Sequence, residues 1–109
     1  MLIPNHIHLL GHKIRVVWKR DLVFTDEALG KADYRKHIIF LQEPCDAYDV
    51  PDTLIYQVYM HEVLHFILTL LGETQINDDE RLVDNIAGLL AQATKGDYLI
   101  RGSTERGDF

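Results

Sequence analysis

The sequence predicts an α+β domain: a small mixed or antiparallel sheet in the first 43 residues, packed against two helices in the second half. Three observations carry that prediction. Short β-rich runs broken by turn residues come first, a long stretch with apolar residues at helical spacing follows, and a second helical stretch comes after a tight return. The 109 residues suit one domain with one modest core, spanning 1–109.

The elements follow in order. Residues 2–9 are rich in Leu, Ile and His, and 12–18, "HKIRVVW", alternate before ending apolar. Gly11 makes "LLGHK" a hairpin turn between them. In "KRDLVFTDEALGKADY" a short helix over 22–29, ended by Gly30, competes with an extension of the strand through "LVF". "HIIFLQE", 37–43, is a strand entered from "DYRK" through a turn or bulge. Pro44 and "CDAYDVPD" then break the pattern.

Pro51 suits the first turn of a helix, where its missing N–H costs nothing, and Asp49 and Asp52 favour the positive end. From 52 to 71, Leu54, Ile55, Val58, Tyr59, Leu64, Ile67, Leu68 and Leu71 recur at helical spacing, and Gly72 is a C-cap. "ETQIN" reads as a loop. A second helix is expected over 78–93, with Leu82, Val83, Ile86, Leu89, Leu90 and Ala93 facing inward and Gly96 at or just past its end. "DYLIRG" is expected as a last short strand, and the whole of 97–109 as strand and polar tail.

Composition narrows the function. Hydrophobic residues at 47% against 26% charged fit a globular protein. The formal charge of −6 argues against a general DNA-backbone binder, so nucleic acid is not the expected partner, although a local basic patch is compatible with it. One cysteine, Cys45, excludes an intrachain disulfide and fits a reducing compartment; an acidic loop follows it and no cation stands beside it to activate the thiol. The start "MLIPNHIHLLG" is unlike a signal peptide, and no apolar run reaches ~18 residues, so the expected location is cytoplasmic with no membrane contact.

The chemistry gathers at "HEVLH", 61–65. His61 and His65, four apart, share one face of the first helix, and two imidazole nitrogens so placed converge on a zinc ion at ~2.0–2.1 Å. Glu62 is turned about 100° from that face, beside the ligand set, where a carboxylate serves as base to a metal-activated water. Glu80 and Asp84 repeat the four-residue spacing at the start of the second helix. The loop after Gly72 is long enough to return Glu80 to the histidines as third ligand, with Asp84 holding the outward nitrogen of one of them. The competing reading makes Glu80 half of a capping box with Asn77 and Asp84 a polar-face residue. His6 and His8 share a strand face and His12 lies across the hairpin, which is no ligand set by itself. Tyr59, Phe66 and Trp18 are expected in the core or lining a cleft.

On these residues, "DYRKHIIFL", "HEVLHFIL" and "DERLVDNIAGLL", the chain resembles small phage and prophage HExxH metallopeptidase-like proteins related to the ImmA/IrrE-type zincin domains, over residues 12 to 93. The resemblance implies a minimal zincin-like fold, Zn2+ held by His61, His65 and Glu80, Glu62 as base and Asp84 behind the ligands. It implies hydrolysis of a protein or peptide substrate lying along a sheet edge. Tyr34, His37 and Tyr98 are candidates for oxyanion or substrate contacts. Val63 and Leu64 are larger than the residues that commonly fill the variable positions of the motif. The alternative is an inactive, zinc-stabilised module that binds a host or phage protein.

Overall fold

In the computed structural model, residues 3–45 and 49–106 are described, without the side chains of 95–106. The hairpin forms as its pattern predicts: β1 (His6–Leu9) pairs antiparallel with β2 (His12–Lys19), Ile7 opposite Ile14. Its turn uses left-handed backbone at Leu10 (φ 49°) and Gly11 (φ 80°), the conformation that glycine adopts without strain. β2 also runs parallel to β4 (Ile38–Gln42), with Val16 opposite Ile39. β3 (Gly30–Asp33) pairs antiparallel with the outer side of β4, giving a mixed sheet in the order β1-β2-β4-β3.

The short helix expected over 22–29 is shorter: α1 spans Leu22–Asp26 and stops where Glu27 turns left-handed (φ 53°). Gly30 therefore ends no helix. It opens β3, an edge strand that "GKAD" does not announce because it lacks β-branched residues. The glycine is required by packing, since a Cβ built there would lie 2.5 Å from Val58 Cγ1.

α2 (Asp52–Leu71) crosses the inner face of the sheet and carries the HExxH residues at its centre. Gly72 caps it in the left-handed conformation (φ 73°), its N–H donating back to the last turn. By length and composition alone α2 could cross a bilayer, yet in the fold it is packed between the sheet and α4 (Glu80–Arg106). Two apolar groups hold it. On the sheet side Ile55, Tyr59, Val63 and Phe66 meet Ile14, Val16, Ile39 and Leu41. On the other side Leu64 and Leu68 meet Val83 and Ala87. Tyr59 and Phe66 are thus core residues, whereas Trp18, at the end of β2, is partly exposed.

Three expectations in the second half differ. "ETQIN" is not an open loop but contributes to α3 (Thr74–Asp78), one short helix between the long ones. α4 is one helix to Arg106, so the strand expected within 97–102 is absent and Gly96 breaks nothing; a single internal glycine costs only ~1 kcal/mol relative to alanine. The face of α4 that meets α2 is Val83, Ala87 and Ala91, at four-residue spacing, while Leu82, Leu89 and Leu90 stay exposed, Leu89 by 66%. Small side chains let the helices approach closely, and large ones on the neighbouring face are left outside.

Candidate metal centre

The long helix and the short return converge where the sequence placed the chemistry. His65 Nε2 lies 3.1 Å from His61 Nε2, and the Glu80 carboxylate spans both, its Oε1 3.0 Å from His65 Nε2 and its Oε2 3.3 Å from His61 Nε2. Ligand atoms ~2.0–2.1 Å from one tetrahedral ion stand about 3.3–3.4 Å apart; one donor atom from each of the three side chains lies within 4.8 Å of the others, so the set can close on a single small cation with modest side-chain adjustment. Among the described residues this triad is the one group of three such side chains whose donor atoms come together.

Hydrogen bonding behind the triad decides what it can hold. Asn77 Nδ2 donates to Thr69 Oγ1 at 2.9 Å, which leaves Asn77 Oδ1 to accept from His65 Nδ1 at 2.6 Å. His65 therefore carries its proton on Nδ1 and presents a lone pair from Nε2. His61 Nδ1 faces Asp84 Oδ1 at 3.4 Å, a longer contact with the same sense. Two imidazole lone pairs and a carboxylate thus point at one another. Such a set is repulsive unless positive charge sits at its centre, and the donor chemistry, two nitrogens and one carboxylate oxygen, suits zinc.

Asp84 approaches the outward nitrogen of His61. Asn77 takes a role that sequence reasoning missed. It is no partner of Glu80 in a cap: Asp79 caps α4 instead, its Oδ1 accepting from Leu82 N–H at 3.1 Å. The capping-box reading of Glu80 is thereby replaced by the ligand reading. No signal in "ETQIN" pointed to Asn77, because its position depends on α3, which the pattern did not reveal.

Glu62 leaves the triad and faces the sheet edge. It is buried beside β3, close enough that a Cβ on Gly30 would come within 3.3 Å of its Oε2. Burial pushes its carboxyl above the ordinary range and the charge of Glu80 adds to this, while His61 and His65 pull the other way. A cleft of about 350 Å3 opens next to it, lined by Leu29 and Gly30 on the β3 side, Leu54, Gln57, Val58 and His61 on α2, and Asp84 on α4.

Of the further candidates, Tyr34 lies nearest the chemistry. It follows β3 directly, packs edge-on to Phe66 at 5.0 Å between ring centres, and its phenol feels Glu62 and Glu80. Its titration is raised chiefly by burial and then by those two carboxylates, against the effect of a hydrogen bond with Thr69. His37 (φ 55°) turns instead toward His12, 5.1 Å away, and Phe66. The side chain of Tyr98 lies outside the described residues. His6 and His8 pack on each other on β1, and no third ligand joins them among the described residues.

An α+β fold whose sheet packs on an HExxH helix, with a glutamate from the following helix completing the triad, is the zincin-like arrangement. No protein-family model matches the chain, and no curated protein or solved structure matches it.

Proposed function

We propose that this chain is a zinc-dependent peptidase, acting in the cytoplasm on a protein or peptide substrate and related to the ImmA/IrrE-type zincins of phages and prophages. The observation that carries the reading is the division of labour on α2: His61 and His65 turn to Glu80 while the intervening Glu62 turns into a cleft beside an edge strand. Zinc held by His61, His65 and Glu80 would supply Lewis-acid polarisation of a carbonyl and a water of lowered pKa.

The chain's own residues do the rest. Glu62, beside the ligands, takes the proton from the attacking water and passes it to the departing amine. The buried surroundings that raise its carboxyl favour a group able to hold that proton in mid-reaction. Tyr34, whose phenol feels Glu62 and Glu80, would donate to a developing oxyanion. The substrate backbone would lie along the free side of β3, adding a strand to the sheet, with a side chain in the cleft formed by Leu29, Leu54 and Val58.

A purely structural zinc, which would make the chain a binding module for a host or phage protein, is less well supported. Closed structural sites take four protein ligands, whereas three gather among the described residues, and the Glu80 side chain is 70% exposed. The test is Glu62→Gln assayed with a quenched-fluorescence peptide library. Hydrolysis lost with zinc content unchanged supports the peptidase; wild-type protein that binds zinc but cleaves nothing in the library contradicts it.

A further inference from the structure

The two halves of the chain carry opposite charge. Residues 1–44 hold seven Lys or Arg against five Asp or Glu, and residues 45–109 hold four against twelve. An asymmetry of this kind in an acidic protein points to an anionic partner on the basic half. The pairing of the sheet concentrates that half further. Strand alternation sends Ile14, Val16, Ile39 and Leu41 inward to α2, and therefore sends Lys13, Arg15, Lys19 and Lys31 to the opposite face. His6 and His8 share this outer face, across from Arg15 and Lys13; its acidic residues are Asp33 on β3 and Asp26 at the end of α1, which pairs with Lys31 at 3.4 Å and also feels Lys19.

Phe40 occupies the middle of this surface, between Val17 on β2 and Lys31 on β3. Its ring is half-buried in the sheet and the Lys19 ammonium rests over it at 5.3 Å. α2 packs on the other face, and α1 packs at the Gln42 end, where the Gln42 amide bonds Val23 N–H and the Arg20 carbonyl. The surface is thus a shallow platform with one aromatic ring and cations around it. Lys13 and Arg15, two apart on one strand, stand about 7 Å from each other, of the order of one nucleotide of an extended strand.

From this charge complementarity we propose that the outer sheet face binds single-stranded nucleic acid. Lys13, Arg15 and Lys19 contact phosphates, Lys31 adds a fourth contact where a phosphate replaces its partner Asp26, and a base stacks on Phe40 once the flexible Lys19 stem swings from the ring to the backbone. A duplex keeps its bases inside and cannot use Phe40. A bilayer would require an apolar group that inserts, and a ring lying half-buried in the sheet does not project far enough. The net charge of −6 excludes unspecific binding over the whole surface but not this face.

The test is fluorescence anisotropy of the full chain with labelled oligo(dT) and oligo(rU) of about 20 nucleotides at ~50 mM salt. Binding is expected to either or both, with a log–log salt slope of about −2 to −3 for three or four phosphate contacts. The double variant K13E/R15E is expected to weaken it at least about tenfold, and Phe40→Leu, which keeps the packing, about fivefold or more. Circular dichroism and zinc content establish that the variants remain folded. The proposal is overturned by no binding at that salt, by binding that K13E/R15E leaves intact, or by a duplex bound as tightly as the single strand. Tighter binding to phosphatidylserine vesicles or to polyglutamate than to either oligonucleotide overturns it as well.

Discussion

Replacing Asn77 by alanine should weaken zinc binding although Asn77 touches no metal. The structure gives the reason in two bonds. His65 Nδ1 donates to Asn77 Oδ1 at 2.6 Å, and Asn77 is held for that purpose by Thr69 at 2.9 Å. Without the amide, His65 is free to carry its proton on Nε2, the atom that faces Glu80, and to rotate out of the triad. Partners of this kind are worth about 10–100-fold in metal affinity, or roughly 1.4–2.7 kcal/mol. Asn77→Asp keeps an acceptor and should hold affinity near the wild-type value or above it. Thr69→Val, which loosens only the anchor of Asn77, should fall between. The contact between His61 and Asp84 is longer, 3.4 Å, and its carboxylate is exposed, so Asp84→Ala should cost less than Asn77→Ala. Competition against a fluorescent zinc chelator at neutral pH measures all four. Asn77→Ala binding zinc within about twofold of wild type, in a preparation where His65→Ala binds none, would refute the tautomer argument.

Other outcomes follow from the same geometry. Gly30→Ala places a methyl 2.5 Å from Val58 Cγ1 and should lower the urea-unfolding free energy by about 1–3 kcal/mol, with Val58→Ala restoring part of the loss in the double variant. In the metal-free protein Glu62 has its carboxyl raised above the ordinary 4.5 by burial. The fold therefore favours the protonated acid, and its contribution is complete below that value and lost as pH rises through the folded pKa. Metal-free Glu62→Gln should accordingly exceed wild type in Tm at pH 7, and the gap should close on acidification towards pH ~4; an equal gap at both pH values would show that burial of the charge is not its origin. Tyr59, pushed up to about 12 mainly by burial, should ionise well above the ordinary phenol value of 10 in an ultraviolet titration. Stability should fall as pH climbs from the ordinary phenol value of 10 towards 12, because only the unfolded chain can release that proton. Tyr34→Phe should reduce peptide cleavage by roughly 10²–10³-fold in kcat while zinc content stays unchanged, which assays of turnover and metal content determine together.

Much of the fold and most of the candidate metal site could be read from residue spacing. The hairpin around Gly11, the β4 run "IIFLQ" and the α2 helix ending at Gly72 all come from local patterns that the tertiary structure preserves. His61, His65, Glu80 and Asp84 were recoverable because four-residue spacing on a helix determines a face, and two such faces joined by a short return must meet. What could not be read depends on partners. β3 is a strand because β4 offers it hydrogen bonds and α2 tolerates only a glycine at its start. The inward face of α4 was misjudged because leucines outrank alanines in any apolar pattern, whereas close helix packing selects Val83, Ala87 and Ala91. Asn77 was hidden for the same reason: a side chain whose purpose is to orient another carries no spacing of its own.

Zinc content, measured by elemental analysis on protein purified without an affinity tag, tests the central claim most directly. The geometry predicts about one zinc per wild-type chain, retained in Glu62→Gln and lost in His61→Ala, His65→Ala and Glu80→Ala, since these three side chains form the one such cluster among the described residues. Folded wild-type protein that holds no zinc and takes up none when it is added would contradict it, and the histidines of "HEVLH" would be ordinary residues of a packed helix.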